Sequence, residues 1–116
     1  MKWQVRALFI AIFSLGISTN FFAQTADTAK TDSDFDKLAL DFIGGYLAAR
    51  PLEGVALGFH QYDGKIGDYS RLAIDAEVER LKRFQAQLEK MDVSMFSKRA
   101  AIDRRVLQTA INVELA

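Results

Sequence analysis

The chain has 116 residues, with 15 basic and 15 acidic side chains, one histidine and no cysteine, and half of its residues are apolar. That balance excludes a disordered tail, whose signature is low hydrophobicity with high net charge, and it argues against nucleic-acid binding, which needs surplus Lys and Arg to neutralise phosphates. Without cysteine there is no disulfide framework and no lipid-modified N-terminal cysteine, so stability must come from core burial.

Residues 1–23 read as a cleavable signal peptide. Lys2 and Arg6 charge the start, residues 7–17 form an uncharged apolar run, and Ser18, Thr19 and Asn20 mark a polar exit. The run is shorter than the roughly 20 residues of a membrane span. A membrane anchor would require Phe21 and Phe22 to extend it and cleavage to fail. Cleavage is expected after Ala23, or near Thr25 or Ala26, because Phe21 stands where a small residue is preferred. The mature protein is then periplasmic or extracellular. Losing Lys2 and Arg6 leaves 13 basic against 15 acidic side chains, a net charge of −2.

Residues 24–33 (QTADTAKTDS) lack periodicity and read as a mobile polar linker. Residues 34–116 carry the fold, which is expected to be all-α, with three long amphipathic helices and one short one. The first long helix is expected to start at Ser33 or Asp34, either of which can cap it. Phe35, Leu38, Ala39, Phe42, Ile43, Tyr46 and Leu47 then form one apolar stripe. Asp34 and Asp36 in its first turn and Arg50 in its last suit the helix dipole. Pro51 ends it, since the residue before a proline is pushed out of helical conformation. Gly44 and Gly45 each cost about 1 kcal/mol relative to alanine, which suggests close approach of another backbone, or a bend.

Residues 51–58 read as a short helix with Pro51 at its first position. Residues 58–69 form an irregular loop with a turn at Asp63-Gly64. Ser70 caps a helix over 71–91 whose apolar row is Ile74, Val78, Leu81, Phe84, Leu88 and Met91, with Glu79 placed to pair with Arg83. The pattern breaks at 92–96. Ser97 caps a last helix running to Ala116, with Ile102, Val106, Thr109 and Val113 as its apolar row and Leu107, Ala110 and Ile111 widening it. No stop signal follows, which reads as a truncated, incomplete N-terminal part of a larger helical domain, its partner being the missing C-terminal part of the same protein. Phe42, Phe84 and Val106 are accordingly expected to stay partly exposed.

Candidate chemistry is sparse. Asp32, Asp34 and Asp36 imitate the start of a calcium loop, but Lys37 stands where Gly is required and Ile43 where Glu is required. His60 has no second His and no Cys with which to make up the three or four ligands of a zinc site. No catalytic, cofactor-binding or metal residue is assigned. His60, Tyr62 and Asp63 remain as a ligand-site loop to be completed from elsewhere. Lys98, Arg99, Arg104 and Arg105 read as a solvated face.

The order Phe35-Asp36-x-Leu38, Tyr46-Leu47, Pro51, Leu57-Gly58-x-His60-x-Tyr62-Asp63 and Asp68-x-Ser70 resembles the opening of the bacterial domain-of-unknown-function family 885. The spacing of Asp92, Phe96-Ser97, Asp103, Leu107 and Val113-Glu114-Leu115 fits as well. Ile66-Gly67 departs from the Leu-Pro usual there. The resemblance implies a long, mostly helical, exported protein similar to zinc metallopeptidases. A His-Glu-x-x-Pro-Gly-His type motif far downstream would hold zinc for the hydrolysis of peptides. None of that motif is present in these 116 residues. The alternative is a free-standing small helical binding or adaptor module of the periplasm.

Overall fold

The protein is described here by a computed structural model, which gives the backbone of residues 2–116 and the side chains of residues 24–116. The signal-peptide reading and cleavage after Ala23 fall on side chains outside the described residues. Among the described residues there are four α-helices: α1 (Lys2–Ala49), α2 (Pro51–Ala56), α3 (Arg71–Lys90) and α4 (Lys98–Leu115). No strand occurs among the described residues, and none of their helices is long and apolar enough to cross a membrane.

The first correction concerns residues 24–33, which are helical and continuous with α1 rather than a linker. Thr28 and Thr31 satisfy their hydroxyls on the carbonyls of Gln24 and Asp27 one turn earlier, and Lys30 pairs with Asp34 at 2.9 Å. Ser33 and Asp34 therefore cap nothing. Asp34 and Asp36 stand mid-helix, and Asp32 reaches across to accept the Ser97 N–H at 3.1 Å. Helical hydrogen bonds to one's own preceding turn are open to Thr, so a polar stretch without an apolar stripe can still propagate a helix already nucleated by packing.

Arg50 leaves helical geometry (φ −128°, ψ 64°) ahead of Pro51, as proline dictates. The α2 helix closes with Gly58 at φ +86°: the Phe59 N–H donates to the Gly54 carbonyl and the Gly58 N–H to that of Val55. This is the paired 6→1 and 5→2 closure that a left-handed glycine permits. Ser70 and Ser97 cap α3 and α4 through Ala73 and Ala100, both at 3.2 Å, as the sequence led one to expect.

The contacts fix the helix directions. Asp32 meets Ser97, Asp36 meets Arg99 and Arg50 meets Glu114, so α1 and α4 run parallel. Arg50 also meets Glu77, and Arg80 reaches the Phe42 carbonyl, so α3 runs against both. Phe35, Phe42, Leu81, Leu88, Ala100, Leu107 and Ile111 form the core between them. Phe96 meets Phe35 edge-on at 5.8 Å and Phe84 meets Phe42 likewise at 5.4 Å, each pair adding about 0.5–1.5 kcal/mol beyond area burial.

Phe42, expected to stay partly exposed, is buried, whereas Phe84 is half-buried and Val106 is exposed, as expected. On α4 the two apolar rows exchange roles. Ala100, Leu107 and Ile111 face the core, whereas Ile102, Val106 and Val113 are 61%, 64% and 69% exposed. Glu79 pairs with Lys82 and not with Arg83. The Gly44-Gly45 pair separates into two cases: a methyl on Gly45 would strike the Arg80 guanidinium, while nothing lies within 4 Å of Gly44.

Candidate functional site

The loop after α2 is built on glycines. Gly54 leaves room for the Tyr62 ring, which would overlap any side chain there. Gly64 at φ +72° follows Asp63 at φ −56°, ψ 132°, and the Lys65 N–H donates back to the Tyr62 carbonyl. That is a type II turn, whose third position needs positive φ. Residues His60–Tyr62 form a single 3₁₀ turn.

Within this frame His60 Nδ1 and Asp63 Oδ2 are 3.1 Å apart, and their side chains are 89% and 56% exposed. Tyr62 turns away from them onto α2, with Lys65 Nζ 5.5 Å from its ring centre. The structure thus unites His60 and Asp63 and gives Tyr62 the task of seating the loop. With Nδ1 held by Asp63, the ring presents Nε2 to solvent. One imidazole and one carboxylate do not make a zinc site, and no group of three or more His, Asp or Glu side chains gathers among the described residues.

A second polar assembly was not legible in the sequence. Arg50 donates to Glu77 (3.1 Å) on α3 and to Glu114 on α4, and its guanidinium lies 4.1 Å over the Tyr46 ring. Arg80 binds the same Glu77 through Nε (2.7 Å) and Nη2 (2.9 Å) and rests against Phe42 and Phe84. Burial pushes the Glu77 carboxyl up, but hydrogen bonds from Arg80 and Arg50 outweigh it and leave the group below its ordinary value. Burial likewise pulls Arg50 down, and the pairing with Glu77 and Glu114 more than restores it. Tyr46 is raised by burial and by the neighbouring Glu114.

These groups floor a cleft of about 570 Å³ between the end of α1, Asp68-Tyr69 and α3, walled by Ala48, Ala73 and Ile74. Two arginines face two glutamates there, each engaged with another. The assembly reads as a clamp locking three helices and not as a vacant ligand site. Its only sequence signal is Glu77 and Arg80 at one-turn spacing beside the apolar row, and nothing local ties them to Arg50.

The basic group on α4 also divides. Arg99 bridges Asp36 and Asp103 at 3.1 and 3.0 Å. Arg104 donates to the Leu88 carbonyl at the end of α3. Only Lys98 and Arg105 remain solvated without an ion pair among the described residues, so the expected solvated face is half structural. Between α1 and α4 lies an apolar groove of about 590 Å³, floored by Phe35, Phe42 and Leu107 and edged by Leu40, Ile43 and Val106. Comparison with protein-family models, with curated proteins and with solved structures finds no match to the chain in any of the three.

Proposed function

We propose that this chain is the N-terminal helical part of an exported, periplasmic or extracellular protein that hydrolyses peptides with the help of a metal, and that residues 24–116 position rather than cut. The observation that supports this reading is the Leu57-Gly58-x-His60-x-Tyr62-Asp63 string on which the family resemblance rests. Its glycine closes α2, its tyrosine seats the loop on Gly54, and its histidine and aspartate are joined and turned outward. Gly58, Tyr62 and the His60–Asp63 pair thus each fix a different part of the loop that carries the histidine.

The residues present do not fit zinc, so no step is routed through it. In this reading the metal ligands belong to the downstream motif that the resemblance implies, and His60 with Asp63 borders the substrate. The test is expression of the gene's complete product with its own leader in a bacterial host. A periplasmic protein beginning near Gln24, with peptide hydrolysis lost to a chelator and restored by zinc, is expected. An intact Met1 form in the membrane, or a zinc-loaded product inert toward peptides, would sink the proposal.

The exposed groove between α1 and α4 favours a second reading, a free-standing adaptor module. A sharp two-state melt of monomeric residues 24–116 would place that reading first. A broad melt with dye binding to apolar surface favours the fragment reading.

A further inference from the structure

His60 is the only histidine of the chain, and among the described residues Asp63 is the side chain that holds its ring. His60 opens a single 3₁₀ turn, and the Asp63 N–H donates to the His60 carbonyl at 3.1 Å. Side chains three residues apart eclipse in that geometry, which brings Asp63 Oδ2 within 3.1 Å of His60 Nδ1. The turn is braced on both sides of the pair. Tyr62 fills the space that Gly54 leaves, and Gly64 at φ +72° turns the chain back. The other charged groups nearby in the chain are engaged elsewhere. Lys65 lies over the Tyr62 ring, Asp68 takes the Ser70 N–H at 2.8 Å, and Glu53 stands beside Tyr46.

This arrangement decides the tautomer. An ionised carboxylate only accepts hydrogen bonds, so the Nδ1 that faces Asp63 must carry the proton. In the neutral ring Nε2 then keeps its lone pair, on a side chain that is 89% exposed. A free histidine side chain prefers the opposite form, with the proton on Nε2. A hydrogen bond of ordinary net strength shifts such a ratio by roughly 2- to 10-fold. The exposed pair adds almost nothing to stability, so its consequence lies in the ring and not in the fold.

We infer that Asp63 is a positioning residue, which fixes His60 as the Nδ1–H tautomer and makes Nε2 a hydrogen-bond acceptor. The ligand of such a loop is one that offers a donor to Nε2, and the backbone N–H of a peptide is that donor. The choice of a peptide rests on the peptidase reading, whereas the tautomer does not.

With one histidine in the chain, long-range nitrogen–proton NMR reads the two ring nitrogens without overlap. The full chain is observed at a pH above the titration of the ring, found by following the same signals. Nδ1 should show the protonated signature and Nε2 the unprotonated one. In Asp63→Ala the ratio of the Nδ1–H to the Nε2–H form should fall by roughly 2- to 10-fold, with helical dichroism unchanged. Asp63→Asn keeps an acceptor oxygen and should fall between the two, a graded response that a merely structural role would not give. In the complete gene product, Asp63→Ala should raise KM for a peptide by roughly 2- to 10-fold, more than it lowers kcat. A native ring protonated on Nε2, or a ratio that Asp63→Ala leaves unchanged, overturns the inference even if peptides are hydrolysed. A shifted tautomer with an unchanged KM overturns the assignment of a peptide to Nε2. A shifted tautomer in a product that hydrolyses no peptide sinks the peptidase reading and leaves the positioning role standing.

Discussion

Two faces of α4 carry comparable apolar rows and have opposite fates. Ala100, Leu107 and Ile111 pack against α1 and α3, while Ile102, Val106 and Val113 look outward. Burial alone does not choose between them, since either row would remove a similar apolar area from water. The choice is made by polar contacts at the two ends of the helix. At the start, Asp32 holds the Ser97 N–H, Arg99 grips Asp36, and Arg104 reaches the Leu88 carbonyl. At the end, Glu114 meets Arg50 and Tyr46. Turning α4 to bury Val106 would break all of these together. Ion pairs of this kind add little net stability, yet they specify one arrangement among near-equals, which is their best-attested use.

The contrast can be broken most forcefully at its centre. Ile111→Ala removes a fully buried side chain and should cost about 2–5 kcal/mol, whereas Val106→Ala should stay within about 0.5 kcal/mol. Urea denaturation of both variants decides it, and equal losses would mean that the outer row is also core.

The clamp at the end of the helix is the next lever. Glu77→Gln should destabilise by about 1–3 kcal/mol, because a hydrogen-bonded carboxylate shared by two arginines is lost. It should also change the acid limb. The Glu77 pKa is depressed in the folded protein, below the ordinary value of about 4.5. Its contribution is therefore complete above that value and is lost as pH falls through the lower folded pKa. Stability measured against pH should fall less steeply in Glu77→Gln across this acidic window, and an unchanged slope would remove Glu77 from the clamp.

The smallest effect is at the start of α4. Ser97→Ala removes the side-chain cap on Ala100 and should cost about 1 kcal/mol. Thermal melts read the loss, and dye binding should not rise, because the Arg99 and Glu114 contacts still hold the rotation of the helix.

Particular residues show how far the sequence could be read. Ser70, Pro51, Ser97 and Gly58 announce helix boundaries because capping, proline sterics and positive φ act within a few residues. Of the row Ile74, Val78, Leu81, Phe84, Leu88 and Met91 on α3, Leu81 and Leu88 are core and Phe84 and Met91 pack against it, while Ile74 is exposed. Residues 24–33 misled, because a polar segment gives no periodic signal and its helix is held partly from outside, through Asp32 and Ser97. For the candidate site, the His60–Asp63 pairing was near at hand in the chain, three residues apart. The Arg50–Glu77–Arg80–Glu114 clamp joins residues as far apart as 50 and 114, and only the one-turn spacing of Glu77 and Arg80 was local.

What the sequence determined by itself is the local grammar of the protein: an all-helical chain, its caps and breaks, and the glycine-built loop that carries His60. Those features depend on interactions between near neighbours, whose geometry the backbone fixes. The tertiary structure alone decided which of two apolar rows on α4 became core, which arginines were solvated and which were locked, and which apolar residues were left to form a groove. Those outcomes depend on contacts between residues dozens of positions apart, where small electrostatic preferences select among packings of nearly equal hydrophobic energy.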